Sequence, residues 1–111
     1  MKFEAKKKEI EKMERKKWSV GQEYQGEEKD GKSDGFGILF FVSGVDCGNR
    51  YEGEFRNGSI NGKGIEYWTD DDWLEGEWKN NKLHGRVIYH YAGGKNYERV
   101  YVDGRRVENN K

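Results

Sequence analysis

The hydrophobic pattern changes after about residue 20, from charged and helix-like to one that alternates at every second position. In YEGEF, residues 51–55, rings and glycine alternate with glutamate, which is the periodicity of a strand with one apolar face. The segment RNGSING, residues 56–62, is rich in Asn and Gly, which tolerate the left-handed backbone of a hairpin turn. Residues 64–68 then have the pattern of the return strand.

This unit recurs along the chain at offsets of 27, 23 and 23 residues, measured from its first aromatic position. Many aligned columns at a near-constant period indicate a repeat architecture. The first column is Tyr24, Tyr51, Leu74 and Tyr97; two residues on it is Gly26, Gly53, Gly76 and Arg99; four residues on it is Glu28, Phe55, Trp78 and Tyr101.

The glycines inside these strands need a physical reason, because glycine normally weakens a strand. Gly53 and Gly76 each stand between two ring or leucine positions on the same face. We expect a ring from a neighbouring strand to lie flat on the bare backbone, as in aromatic rescue of a glycine. One hairpin cannot bury its own rings, but a row of hairpins can.

In these residues the chain resembles the MORN repeat family, whose pattern is Tyr-x-Gly-x-aromatic, a Gly-bearing turn, and then Gly-x-Gly. YEGEFRNGSINGKG, residues 51–64, matches it nearly throughout. The resemblance implies an all-β repeat fold, a single-layer twisted antiparallel sheet of successive β-hairpins. It also implies a role in assembling or tethering other molecules. We divide the repeat domain, residues 21–108, into about 3.5 repeats: 24–50, 51–73, 74–96 and 97–108.

The N-terminal segment, residues 1–20, is expected to carry a basic α-helix over residues 2–17. It is built from Lys and Glu, which have good helix propensity. Its apolar stripe is thin, with Phe3, Ile10 and Met13 on one arc. Such a helix is marginal alone, so it should fray or dock on another surface.

Composition supports a fold held by rings rather than by an aliphatic core. Aromatic residues make up 14% of the 111 residues, and hydrophobic residues only 32%. The net charge is zero, but residues 1–18 hold eight of the 21 basic residues and only four of the 21 acidic ones. A basic arm therefore precedes an acidic body. One cysteine and no apolar leader fit a reducing, cytoplasmic setting.

Two faces of the predicted sheet are candidate interaction sites. The first is an apolar groove for a partner helix, because a single-layer sheet leaves its ring-bearing side uncovered. Seven strands at a spacing of about 4.8 Å give a groove about 34 Å long. The predicted groove residues are Tyr24, Tyr51, Phe55, Trp68, Leu74, Trp78, Tyr89, Tyr97 and Tyr101.

The second candidate is an acidic face that points away from the rings. It is either a solvated surface or a receptor for a basic helix, supplied by a partner or by residues 2–17 of the same chain. Docking of the chain's own helix is expected to shield the groove when no partner is present. The acidic residues are Glu52, Glu54, Glu75 and Glu77, and the basic residues are Lys6, Lys7, Lys8, Lys12, Arg15, Lys16 and Lys17.

Catalytic and metal chemistry is not expected. His84 and His90 lack a third ligand at metal spacing and are expected to be solvated. Residues 70–72 are acidic, but the oxygen spacing and glycine of a calcium loop are missing. Cys47 has no histidine that the sequence can place beside it. We therefore expect no enzyme, no cofactor and no metal.

The leading hypothesis is a non-catalytic scaffold that binds a helical segment of a protein partner within a larger assembly. The alternative is a membrane-surface adaptor whose basic segment meets anionic phospholipid. Nucleic acid is not expected, because the ring-bearing body is net acidic. The family resemblance, and no individual residue, implies a cytoskeletal or ciliary setting.

Overall fold

The computed structural model describes residues 3–107, which form one helix and nine strands in one antiparallel sheet. Each strand pairs only with its neighbours in sequence, and β1 and β9 do not pair with each other, so the sheet is one open layer. This confirms the predicted fold class. The elements are α1 (Phe3–Ile10), β1 (Lys16–Lys17), β2 (Gln22–Lys29), β3 (Lys32–Phe41), β4 (Arg50–Arg56), β5 (Ser59–Tyr67), β6 (Trp73–Lys79), β7 (Lys82–His90), β8 (Asn96–Val102) and β9 (Arg105–Arg106).

The predicted domain boundaries, residues 1–20 and 21–108, stay predictions. Their outer ends, residues 1 and 108, lie outside the described range. Residues 3–107 contain no helix with the length and apolar character needed to cross a bilayer.

The four hairpin turns share one backbone geometry. In each turn, two consecutive residues have positive φ, which is the geometry of a two-residue type I′ turn. The second-repeat turn is therefore only residues 57–58, and β5 begins at Ser59 rather than at the predicted residue 64. The turn pairs are Asp30–Gly31, Asn57–Gly58, Asn80–Asn81 and Asp103–Gly104.

The later glycine of the predicted turn, Gly62, lies instead in a β-bulge between β4 and β5. Its φ is 110°, and the register of the two strands shifts there. The Glu54 side chain packs against Gly62, and its Oε1 accepts a hydrogen bond from the Lys63 amide at 2.6 Å. In the first repeat, Glu27 accepts the equivalent bond from the Phe36 amide at 2.7 Å. A carboxylate thus fixes each of these two bulges.

The core lies on the face of the sheet that carries Tyr51 and Phe55, which we call the ring face. The Tyr51 ring covers Gly64 so closely that a Cβ at position 64 would overlap it, and Tyr24 covers Gly37 in the same way. The Tyr51 ring also meets Phe55 and Trp78 edge-on, with centroids 5.3 and 5.0 Å apart. Aromatic packing over glycine builds the first two repeats, as predicted in kind, but in the second repeat the covered glycine is Gly64 and not the predicted Gly53.

The third repeat replaces this pair of positions with aliphatic side chains. Leu74 stands where Tyr51 stands in the second repeat, and Val87 stands where Gly64 does. Both are buried, with 1% and 0% of their surface exposed. The Val87 side chain lies against Gly76, so the prediction that a ring covers Gly76 is wrong. A smaller residue at 74 and a larger one at 87 fill the same space.

Helix α1 is shorter than predicted: it ends at Ile10, whereas residues 2–17 were expected to be helical. Ile10 packs on the side of the sheet away from the rings, which we call the opposite face, whereas Trp18 packs on the ring face against Tyr24 at 4.7 Å. The intervening chain must pass around the edge of the sheet, which one straight helix cannot do. Strand β1 forms there and pairs with β2.

The docked face of α1 is small but well packed. Ile10 is 1% exposed and contacts Phe36 and Ile38 in a cluster of its own on the opposite face. The Phe3 ring lies 4.9 Å from the Phe36 ring. After the helix, the Gln25 side chain donates a hydrogen bond to the carbonyl of Met13 at 2.8 Å. The sheet therefore holds both the helix and the segment that follows it.

Candidate functional site

Five of the nine predicted groove residues belong to the core of the ring face. Each of their side chains is less than 8% exposed, so a partner could not contact more than a small part of them in this conformation. In this conformation these five side chains stabilise the sheet, and their predicted contacts with a partner are limited to the small part of each that stays exposed. The five are Tyr24 (1%), Tyr51 (2%), Phe55 (6%), Leu74 (1%) and Trp78 (7%).

The other four predicted groove residues keep accessible surface. Trp68, Tyr89 and Tyr101 are half-buried, and Tyr97 is 41% exposed. The Trp68 and Tyr89 rings stack with centroids 5.9 Å apart, and the hydroxyl groups of Tyr89 and Tyr101 lie 2.7 Å apart. Burial, and then this hydrogen bond, raises the pKa of Tyr89 well above its ordinary value.

The row of accessible rings continues to one end of the sheet. Tyr91, which is 42% exposed, follows Tyr89 at 6.4 Å and meets the Tyr97 ring edge-on at 5.5 Å. A shallow pocket of about 460 Å³ lies beside Tyr91 and Tyr97 and is also lined by Arg99. Trp68, Tyr89, Tyr91 and Tyr97 therefore form one aromatic patch, which we call the exposed ring patch.

A carboxylate, Glu66, lies on the ring face among these aromatic side chains. Its backbone pairs with Tyr51 on one side and Leu74 on the other. Burial and then the nearby charge of Asp46 raise the pKa of Glu66, while a hydrogen bond from the Trp68 side chain acts in the other direction. Sequence reasoning missed this residue, although alternation from Gly64 to Trp68 would have placed it on the ring face.

The predicted acidic face is not a free anionic surface, because three of its four glutamates are already engaged. Glu52 is 3% exposed and pairs with Arg50 at 2.7 Å and with Lys7 at 3.1 Å. Glu75 contacts His90 at 3.0 Å. The Glu54 carboxylate fixes the bulge at Gly62. The Glu77 carboxylate packs more loosely: a Cβ atom added at Gly85 would lie 3.6 Å from its Oε2.

The basic segment is largely paired with the sheet of the same chain. Lys7 reaches the buried Glu52, as described above. Among the described residues, Lys8, Lys12 and Lys17 form no ion pair. The other three pairs are Lys6–Glu27 at 3.7 Å, Arg15–Glu23 at 2.6 Å and Lys16–Glu28 at 3.0 Å.

The chain's own helix therefore docks on the face that carries the glutamates, as one of the sequence alternatives held. The expectation that this docking shields the groove is wrong. Helix α1 covers Phe36 and Ile38 on the opposite face, and the rings of Tyr89 and Tyr97 lie on the other side of the sheet. Docking of α1 leaves the exposed ring patch open.

The opposite face is also less polar than predicted, because the return strands place apolar side chains on it. Sequence analysis missed these residues, although the apolar run at residues 36–41 in β3 signals a strand that is covered on both faces. Cations and rings stack there: Arg15 lies 3.6 Å from the centroid of Phe40, and Arg50 lies 4.0 Å from that of Tyr67. The apolar residues of this face are Phe36, Ile38, Phe40, Ile65, Tyr67, Trp73, Ile88 and Val100.

His90 corrects the expectation that both histidines are solvated. Its ring stacks on Trp73 with centroids 3.7 Å apart, and its side chain is only 19% exposed. Residues 3–107 contain no group of three His, Cys, Asp or Glu side chains that could hold a metal ion. Cys47 is exposed and unpaired within the same range.

Comparison with known proteins identifies the repeats. A family model described as the MORN repeat matches the chain three times, at residues 24–45, 51–73 and 75–95. The matched segments cover more than half of the 111 residues. Residues 97–108 lie outside them, so the assignment of a partial fourth repeat stays a prediction. None of the curated proteins compared with the chain matches it.

Proposed function

The chain belongs to the MORN repeat family, a non-catalytic repeat family associated with protein and membrane interaction, and from that premise we propose that it is a protein-binding scaffold. Its ring face accepts a helical segment of a partner protein within a larger assembly. The cytoskeletal or ciliary setting is part of the same proposal.

The observation that carries the proposal is the exposed ring patch. Trp68, Tyr89, Tyr91 and Tyr97 are linked by ring contacts in an open, single-layer sheet. Contiguous exposed apolar surface of this kind marks interaction sites, and aromatic side chains dominate the energetics of protein interfaces. Trp68 and Tyr89 pack against the buried core of the ring face, so these two side chains lose little conformational entropy on binding.

Site-specific photo-cross-linking in cells that express the protein tests which face a partner contacts. A photo-reactive phenylalanine analogue replaces Tyr97 in one variant and Val100 in the other. These residues lie on the same strand, are 41% and 44% exposed, and point to opposite faces. We expect a discrete protein adduct from position 97 and none from position 100. Equal adducts from both positions, or adducts from position 100 alone, would reject the ring face as the docking site.

The alternative, a membrane-surface adaptor, has less support from the basic segment than its charge suggests. Only Lys8, Lys12 and Lys17 of the seven basic residues lack an ion pair within the described range. At about 1 kcal/mol for each basic residue near an anionic bilayer, these three supply about 3 kcal/mol. Co-sedimentation with phosphatidylserine vesicles, using the native chain and a triple Lys→Ser variant at these positions, tests this alternative. Binding that the variant loses supports it, and absence of binding by the native chain rejects it.

A further inference from the structure

Glu66 occupies a position that the other repeats fill with apolar side chains. Leu39 in the first repeat pairs with Tyr24, and Tyr89 in the third pairs with Leu74, just as Glu66 pairs with Tyr51 in the second. A carboxylate in this row loses hydration, which disfavours its charged form. The fold does not need a charge here, because two of three repeats do without it.

Glu66 also differs from three glutamates of the opposite face, each of which has a cationic partner. Glu27 pairs with Lys6, Glu52 with Lys7 and Arg50, and Glu98 with Arg86. Within residues 3–107, no basic side chain lies at ion-pair distance from Glu66. The nearby Asp46 adds negative charge instead of neutralising it.

On the opposite face, a carboxylate and an aromatic ring lie together in the same way, and there an arginine of the chain contacts both. There Arg50 lies over the Tyr67 ring, 4.0 Å from its centroid, and its Nε donates a hydrogen bond to Glu52 at 2.7 Å. A guanidinium satisfies a ring and a carboxylate together, because it is planar, stacks on aromatic faces and has donors in a fixed fork.

Glu66 has comparable neighbours on the ring face. The Trp68 indole favours the charged form of this carboxylate, which lowers its pKa, and the Trp68 and Tyr89 rings stack 5.9 Å apart with an angle of 27° between their planes. All three side chains are half-buried, so each keeps some accessible surface. The arrangement has the carboxylate and the rings, but the chain supplies no cation.

We propose that Glu66, Trp68 and Tyr89 form a binding site for the guanidinium of an arginine in the partner segment. The proposal deepens the protein-binding function and rests on it for the source of the arginine. It specifies what such a segment must contain: an arginine flanked by apolar residues, which pack on the rings and exclude water from the charge pair. A partially desolvated charge pair of this kind favours one register of the bound segment over others.

The test uses N-acetyl-arginine amide as the probe, and the indole Nε1–H signal of Trp68 in ¹⁵N NMR spectra of the full chain as the readout. We expect a saturable shift of that signal. Glu66→Gln should weaken the apparent affinity by about tenfold or more, because a neutral acceptor loses the charge-assisted bond. The spectrum itself reports whether the variant is folded. The matched control, Glu98→Gln on the opposite face, should bind as the native chain does.

Two further probes need no variant. N-acetyl-citrulline amide has nearly the shape of the arginine probe without its charge, and N-acetyl-lysine amide has the charge without the planar fork. We expect neither to match the response to arginine. An equal response to citrulline or lysine, an unchanged affinity in Glu66→Gln, or no saturable shift in the native chain would overturn the proposal.

The two proposals fail in different experiments. If Tyr97 cross-links a partner and the arginine probe does not bind, the docking face stands and the arginine site is rejected. If the probe binds and no partner cross-links at Tyr97, the site exists and the proposed function is rejected.

Discussion

The Tyr51 ring lies over Gly64, in the space that any side chain at position 64 would need. The tyrosine hydroxyl reaches beyond the glycine and donates a hydrogen bond to the carbonyl of Glu54 at 3.2 Å. One large residue and one absent side chain therefore form a single packing unit. A substitution at either position should therefore disturb the packing of the other.

Gly64→Ala should lower the free energy of unfolding by about 1–3 kcal/mol, because overpacking of a well-filled core costs that much. The backbone at Gly64 has no positive φ, so the cost is steric. Gly93→Ala is the matched control: its Cβ would meet nothing within 4 Å. Urea denaturation measures both variants. Equal stabilities would contradict the packing of the ring on the glycine backbone.

The Leu74–Val87 pair can be tested by a double-mutant cycle. Val87→Gly leaves a cavity and should cost about 2–4 kcal/mol, and Leu74→Tyr overfills the site and should cost about 1–3 kcal/mol. The double variant rebuilds the second-repeat pair, so the new ring should fill the space above the new glycine. We expect a favourable coupling energy of about 1–3 kcal/mol. Additive costs would show that the two positions do not share one space.

The repeat, the strands and the turns could be predicted from sequence because the same local physics recurs in each unit. Alternation at residues 51–55 indicated which side chains share a face, and the Asn- and Gly-rich segment 56–62 indicated a turn, although the turn itself is only residues 57–58. The compensation between Leu74 and Val87 was not predicted, because it needs the register that brings the two positions together. Considered singly, Leu74 lacks the ring of the family's tyrosine, and Val87 lacks the bare backbone of the family's glycine.

Glu66 should make stability depend on pH in a defined direction. Burial raises its pKa in the folded chain above the ordinary value of 4.5, with the charge of Asp46 adding to the shift, while Tyr51 and Tyr89 also face it. The folded state therefore holds the proton more tightly than the unfolded state does. Glu66 contributes stability below the unfolded pKa, and that contribution is lost as pH rises through the folded pKa.

Glu66→Gln removes this dependence, so the stability of the variant relative to the native chain should increase as pH rises from about 4.5 to 7. Urea midpoints of both proteins across that range measure the difference. Glu98→Gln, which removes the half-exposed partner of Arg86, should show no such increase. A difference for Glu66→Gln that is constant with pH would mean that its pKa is the same in both states.

Ile10→Ala should detach α1, because Ile10 is the one fully buried side chain of the helix among its described residues. The expected loss is about 2–4 kcal/mol if the chain unfolds as one unit. Amide hydrogen exchange should then become fast over residues 3–10 while the sheet stays protected. Lys8→Ala changes an exposed position of the same helix and is the control. Slow exchange over residues 3–10 in Ile10→Ala would show that other contacts hold the helix.

The docking of α1 could be predicted only in part. Charge complementarity gave the docking of the basic segment on the glutamates of the sheet as one of several alternatives, and the ion pairs of Lys6, Lys7 and Lys16 agree with it. The length of the helix was not predictable from propensity, because its end is set by the path of the chain around the sheet edge from Ile10 to Trp18. The apolar partners Phe36 and Ile38 were missed, because β3 was assigned one apolar face when it has two.

Because every strand hydrogen-bonds only to the strands before and after it, and ring contacts such as Tyr51–Trp78 join only successive repeats, the length of this molecule is adjustable in whole units. A tandem duplicate of residues 51–73 inserted after Trp73 would bring its own tyrosine, its own bare backbone and its own bulge carboxylate. Such a copy would extend the sheet by two strands, or about 10 Å, without altering the contacts inside its neighbours. Gene duplication could thus lengthen the protein in steps, each of which leaves a folded product.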